Sequence, residues 1–413
     1  MRESSLLKWY VCIAITADII GFYYVGVSMI LPLLLYLCVR RDRIPSRSMY
    51  VLTPLIILIC IGLVGCLHNE PANVLKDLII FVRMPLALLS GFLYCMTGRN
   101  PIQKLQSVTV VPSVVYSLQE LSYFILDPSL LTQPAAAIRT VAGNGDIFMV
   151  IALVLLAIGT TSATKAPVAK IKRRAFGILI AIASILSFSR TLLFSAAVLW
   201  LPLIKRRYMR RIMIAGIPCL FAGAIYAMSS SHSAVSMDDG TFAEKIARAG
   251  SEVVISDYDN EGDINLNWRG YESFMALQHY LSGNWNNYLF GYGFGEMVDV
   301  GLFMKLGDDD LRSVPYFHNG YLYLLIKTGA VGMLLYLWFL WRVFRSIQLK
   351  KNSWPKGHPV RNIAELTQAV VVVSIFTTYI VTGFFNKTDG LPLAFFVGSV
   401  LAIVSGSLIR DAR

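Results

Sequence analysis

Tyr316-Phe317-His318-Asn319-Gly320-Tyr321-Leu322 closes a long polar segment and opens an apolar run that continues to Leu340. The stretch therefore lies where water meets an apolar phase, and the run after it predicts a membrane helix. Counted at about 100° per residue, Leu322, Leu325, Gly329 and Gly332 fall on or near the side of that helix that carries His318. Lys327 points roughly the opposite way. Two glycines on one stripe leave room for another helix or a lipid chain beneath the histidine.

Outward from this stretch, apolar runs recur along nearly the whole chain. A sequence of 413 residues that is 56% hydrophobic and 15% charged is too apolar for a soluble protein of that size. The fold class it predicts is an all-α, polytopic membrane protein of about twelve transmembrane helices. They fall at 6–22, 24–39, 49–67, 74–97, 106–126, 146–163, 175–188, 191–204, 212–229, 320–341, 363–384 and 391–409. No small-residue cleavage site follows the first apolar run, which reads as a retained helix. The division is residues 1–229 with nine spans, 230–317 as one large loop domain, mostly helical, and 318–413 with three spans.

The net charge of +12 has its explanation in this topology. If twelve spans alternate, 26 of the 37 Lys and Arg fall on one side, in the clusters Arg40–Arg47, Lys165–Arg174, Lys205–Arg211 and Arg342–Arg361, at Arg99 and Lys104, and at both ends. By the positive-inside rule that side is the cytoplasm, so both termini are cytoplasmic and the 230–317 loop is outside. Nucleic acid is not an expected partner. The six cysteines lie in or beside apolar spans with no Cys-x-x-Cys among them, and point to neither a disulfide framework nor a metal site.

Several polar residues interrupt the apolar runs. Gly21–Gly26 must supply a tight turn between the first two spans, where Asp18 is unusual. In the fourth span Lys76, Asp77 and Arg83 stand out, Arg83 about nine residues, roughly 14 Å, inside the outer boundary. A charge at that depth is paired or faces a wet cavity. Either Asp18 or Glu120 is its partner, or it lines a site for an anionic headgroup. Between Arg174 and Lys205 there is room only for a hairpin of about 14 residues per limb, roughly 21 Å against a 30 Å core. Arg190 near its tip, beside Ser187, Ser189 and Thr191, then sits below the outer surface, as a snorkelling anchor or as an anion site.

The 230–317 loop carries 14 acidic and 5 basic residues. Thr241-x-x-Glu244 reads as a capping box, and a second helix is predicted from Trp268 to Leu281. Asp257–Asn265 resembles the first nine positions of a calcium loop, but Trp268 stands where the bidentate Glu belongs, so a solvated acidic turn competes with a weak ion site. Gly291-x-Gly293-x-Gly295 lacks the strand–helix unit of a dinucleotide site and reads as flexible turns.

By topology, Arg190, Arg269 and His318 all belong to the outer side. A guanidinium pairs two donors with phosphate oxygens and stays charged; an imidazole accepts a proton near neutrality. Two of the first and one of the second suit transfer from a phosphate-linked donor to a hydroxyl, with the arginines on the leaving group and His318 as base. These three are the candidate catalytic residues. Arg83, Asn319, Tyr321 and Lys76 are candidates for binding substrate. No metal or other cofactor is expected.

His318-Asn319, nine residues, Gly329, two residues, Gly332 resembles the His-[Asn/Ser/Gln]-x9-Gly-x-x-[Gly/Thr/Tyr] signature of the O-antigen ligase and Wzy-type O-antigen polymerase superfamily. Arg190-Thr191-Leu192-Leu193-Phe194 is similar to its Arg-x-x-x-Leu, with Phe194 for the Leu. Trp268-Arg269-Gly270 and Leu289–Gly295 look like its large-loop arginine and glycine-rich stretch. The likeness covers mainly residues 185–340. It implies a bacterial inner-membrane, metal-independent, inverting glycosyltransferase of C-type membrane fold, with its active site facing the periplasm and undecaprenyl-diphosphate-linked oligosaccharides as donor and acceptor. Membrane lipids and a polysaccharide chain-length regulator are the implied partners. A Wzy-type polymerase is the first expectation, an O-antigen ligase acting on lipid A core the second, and a lipid-linked oligosaccharide flippase the non-enzymatic one. The flippase fits least well, since transporters place their polar site at mid-membrane between symmetric halves.

Overall fold

Proline and glycine punctuate the chain where the sequence predicts turns. The computed structural model describes residues 3–40, 46–97, 100–133, 138, 141, 146–158, 167–187, 189–203, 268–306, 309–381, 383–385 and 388–410. The predicted span 212–229, the capped helix from Thr241 and the Asp257–Asn265 stretch lie outside them. Among the described residues, helices α1 (Glu3–Ile19), α2 (Tyr23–Val39), α3 (Ser46–Val64), α4 (Pro71–Met96), α5 (Pro101–Leu126), α6 (Ile147–Ile158), α7 (Pro167–Leu186) and α8 (Arg190–Trp200) come first. After them stand α9 (Trp268–Leu281), α10 (Trp285–Phe290), strands β1 (Val298–Leu306) and β2 (Asp309–Val314), then α11 (Gly320–Lys351), α12 (Pro359–Val381) and α13 (Gly390–Arg410). Pro71 and Pro101 begin α4 and α5 at the position where a missing N–H costs nothing. Gly21, at φ 104°, turns α1 into α2, and Asp18 packs under Gly26 across that hairpin.

The protein is mostly helical and has the helices of a multi-pass membrane protein. Five of them, Tyr50–His68, Pro71–Met96, Pro101–Leu126, Gly320–Lys351 and Pro359–Val381, are long and apolar enough to cross a membrane. α4 is the centre. It packs along α13 more extensively than any other helix pair does, and also against α2, α3 and α5. Gly91 and Gly398 make the first contact possible: a Cβ on either would collide with the backbone of the partner helix, at Phe395 and Leu88 respectively.

One feature differs from expectation. The helix opened by His318 is not continuous, because Gly329 takes φ 66°, ψ −171° in its middle. The 100° count therefore does not carry across it, and Gly332 faces the Thr328 side chain of its own helix. Straight, α11 would place Tyr323 and Tyr336 about 20 Å apart along the axis. Both rings instead reach Phe385, at 6.5 Å and 5.1 Å, so the break folds the two limbs toward each other. Besides α9 and α10, the described part of the 230–317 stretch holds one hairpin, in which β1 and β2 pair antiparallel. Val298 and Val300 are buried while Asp299 between them is exposed, the period-2 pattern of a half-buried strand. The Arg312 guanidinium at 3.0 Å, helped by the Gly301 N–H, holds the Asp299 carboxyl below its usual range.

Candidate active site

His318 stands one residue before the N-cap of α11. Asn319, buried, is that cap: its Oδ1 accepts from the backbone N–H of Tyr321 at 3.1 Å and of Leu322 at 3.3 Å. Phe317 on the other side is fully buried, and the Tyr316 hydroxyl donates to the Phe385 carbonyl at 2.9 Å. The chain is thus pinned on both sides of the imidazole, whose own side chain is 46% exposed.

The acid beside it is Glu272, on α9, with its side chain 3% exposed. Its Oε2 accepts from His318 Nδ1 at 2.8 Å and from the His318 backbone N–H at 3.1 Å. A carboxylate can only accept, so Nδ1 carries a proton, and in the neutral ring the lone pair is on Nε2. That is the tautomer a general base needs.

Sequence reasoning does not single out Glu272. It is one of fourteen acids in the loop, and only its place three residues after Arg269 distinguishes it. Such spacing puts both on one side of a helix. Small Ser273 and Ala276 and the Tyr280 ring, all buried on α9, mark the side that packs inward.

The glycine-rich stretch is not a set of flexible turns. Residues 291–296 form a strap laid across the C-terminal end of α3 and the N-terminal parts of α4 and α11. Tyr292 N–H donates to Ile326 O at 2.7 Å and Phe294 N–H to Gly62 O at 2.9 Å. Asn69 Nδ2 donates to the carbonyls of Tyr292 and Phe294 at 3.1 and 2.9 Å. Gly295 N–H meets Asp77 Oδ2 at 2.7 Å, and Lys327 Nζ donates to Glu296 O. With φ of 76°, 89° and 89°, Gly291, Gly293 and Gly295 take a conformation that other residues rarely adopt. Gly329 meets the end of α10, where a Cβ would strike the Leu289–Phe290 backbone, and a Cβ on Gly291 of the strap would in turn strike Gly329 N. What lies on this glycine of the His-x9-Gly spacing is therefore the end of α10 and the start of the strap. A free lipid chain does not occupy it.

The other candidates separate. Arg269 is half-buried one turn before Glu272, on the helix that touches His318. Arg190, half-buried, is the first residue of α8, whose N-cap Ser189 accepts from Leu192 N–H. α8 packs on α12, and α12 on α11. Tyr321 donates its hydroxyl to Ile375 O at 2.8 Å, a tie between α11 and α12, and Asn319 is consumed as a cap. Lys76 is exposed in the second turn of α4. Arg83 is enclosed, 1% exposed, with Nη2 on Phe385 O at 3.2 Å and against Gly390. It supports the same carbonyl that holds Tyr316, and does not line an open headgroup site.

No protein-family model and no curated protein matches this sequence. The functional reading rests on the residues themselves.

Proposed function

We propose that the chain is a membrane glycosyltransferase of the Wzy type, joining lipid-diphosphate-linked oligosaccharide repeat units on the outer side of a bacterial inner membrane. The observation that carries this reading is the half-exposed imidazole held through Nδ1 by a buried carboxylate. Twelve spans, cytoplasmic termini and a periplasmic 230–317 domain, read from the lysine and arginine distribution, put that pair on the outer side. No sugar nucleotide is available there, so the donor arrives already activated on a lipid.

In the proposed step His318 Nε2 takes the proton of the acceptor hydroxyl while its oxygen attacks the anomeric carbon of the donor. The bond from that carbon to the diphosphate oxygen breaks, and its electron pair leaves with the lipid diphosphate. One displacement inverts the anomeric centre. Arg190 and Arg269 carry the charge that develops on the leaving group, and Glu272 balances the imidazolium formed. Because the His-Asn-x9-Gly-x-x-Gly spacing matches the ligase signature at every specified position, transfer to lipid A core is the second reading.

The test is incubation of the purified protein with a lipid-diphosphate repeat unit alone, then with lipid A core added. A ladder of lengthened lipid-linked glycan without core supports the polymerase. Product only when core is present gives the ligase. No product in either arm, with folded protein, overturns both.

A further inference from the structure

Below the strap lies a hub that the reaction as proposed does not use. Asp77 of α4, its side chain 4% exposed, receives three donors from two other elements: Tyr323 Oη at 2.6 Å on Oδ1, and Gly295 N–H and Lys327 Nζ, both at 2.7 Å, on Oδ2. Tyr323 and Lys327 are four apart on the first limb of α11, so they share a face, and that limb carries His318 at its start. Gly295 belongs to the strap, whose next residue, Glu296, meets His279 Nε2 of α9 through Oε1 at 2.9 Å. His279 follows Glu272 by seven residues, two turns and about 10 Å along one face of α9. Asp77 thus ties down both helices that bring the reacting pair together, α11 directly and α9 by way of Gly295, Glu296 and His279.

We propose that Asp77 is a positioning residue for the His318–Glu272 pair, acting through the strap. The proposal rests on His318 being the base, but its mechanical part does not. Two side-chain contacts two turns apart on α9 lead to the helices around Asp77, Glu272 on His318 of α11 and His279 on Glu296 of the strap. At the second contact Asp77 holds Gly295 and Lys327 holds Glu296, the two side-chain anchors nearest Glu296, while Gly62, Asn69 and Ile326 hold the earlier part of the strap. Releasing the hub lets α9 shift along α11, and the 2.8 Å contact at the other end is lost. A displacement of about 1 Å in such a contact costs on the order of 100-fold in turnover.

Asp77→Asn alone leaves the Lys327 ammonium buried without its counter-charge and is expected to fold poorly. The informative variants are therefore Asp77→Asn with Lys327→Met, which removes both charges, and Tyr323→Phe, which removes one donor and leaves the ion pair. The first readout needs no substrate: the hydrogen-bonded Nδ1–H of His318, observed by NMR of the full-length protein in detergent with ¹⁵N-histidine and assigned by its loss in His318→Ala. In the Asp77/Lys327 double variant that signal is expected to collapse as it does in Glu272→Gln, and in Tyr323→Phe to weaken. The second is turnover of a lipid-diphosphate repeat unit, expected to fall about 10-fold to 100-fold in the double variant, while the same two changes in a Glu272→Gln background make it no slower than Glu272→Gln alone. A folded double variant that keeps the wild-type Nδ1–H signal overturns the proposal. If the signal is lost and turnover stays normal, the positioning stands and the catalytic reading of His318 falls.

Discussion

Glu272 Oε2 takes two hydrogen bonds from one residue, the backbone N–H of His318 at 3.1 Å and its Nδ1–H at 2.8 Å. The same oxygen thereby fixes where the imidazole starts and which way its ring faces. Substituting Gln keeps the shape but supplies an amide that can donate to Nδ1 and reverse the tautomer, which takes the lone pair off Nε2. Glu272→Gln and His318→Ala are each expected to lower turnover by about 10²-fold to 10⁴-fold at unchanged protein level. The double variant should be no slower than the worse single. Turnover assays at matched protein level decide it: near wild-type rates in Glu272→Gln would reduce the contact to an anchor of α9.

How much of this is legible in the sequence follows from the signals each feature leaves. Helices α2, α4, α5, α12 and α13 lie within a few residues of their predicted spans, since a lipid-facing helix must be apolar over a length that the bilayer sets. His318 is legible as well, being a titratable group at the start of an apolar run. Glu272 is not, since what distinguishes it is burial against a helix 46 residues away in sequence. Gly329 reads in the sequence as a notch in a straight helix, because spacing counts faces and cannot show a positive φ. The strap is hidden for a related reason. Its donors and acceptors are backbone groups matched to Gly62, Asn69, Asp77 and Ile326, and no local pattern in residues 291–296 names those partners.

The strap makes glycine substitutions discriminating. At Gly329 an Ala must adopt φ 66° and place its Cβ against the Leu289 carbonyl, which adds roughly 1–2 kcal/mol of left-handed strain to roughly 1–3 kcal/mol of overpacking. Gly291→Ala meets Thr328 N and Gly329 N and should behave alike. Gly177, in the interior of α7 with nothing within 4 Å of where an alanine methyl would sit, is the contrast, and Gly177→Ala is expected to be neutral or stabilising by up to about 1 kcal/mol. Thermal unfolding in one detergent ranks the three, and a Gly329→Ala protein as stable as wild type would contradict the fixed strap.

Orientation is checked by single cysteines in a background without the native six. Trp285, 79% exposed on α10, should label from outside with an impermeant maleimide when replaced by Cys. Ser353, exposed in the turn between α11 and α12 and inside the basic stretch Arg342–Arg361, should not. Labelling of Ser353→Cys in intact spheroplasts would invert the topology and remove His318 from the outer side.

The last prediction concerns Arg190 and Arg269. Each is half-buried and opens or nearly opens a helix, Arg190 as the first residue of α8 and Arg269 as the second of α9. At the start of α8, capped by Ser189, the Arg190 guanidinium adds to the positive end of the helix dipole, which favours an anion there. If the two fork onto one lipid diphosphate, Lys at either position keeps the charge but loses the paired geometry. Each single Lys variant should then raise the barrier by roughly 3 kcal/mol, the scale of removing one preorganised donor from a developing negative charge. The pair should lose well under twice that, because a diphosphate released by one arm is no longer held where the other can act. Arginines that merely anchor helices behave otherwise, tolerating Lys and contributing independently. The measurement is turnover of a purified lipid-diphosphate repeat unit by Arg190→Lys, Arg269→Lys and the double variant at saturating substrate. Additive losses, or a Lys variant at near wild-type rate, would return that arginine to an anchoring role and leave His318 and Glu272 to act on a leaving group stabilised elsewhere.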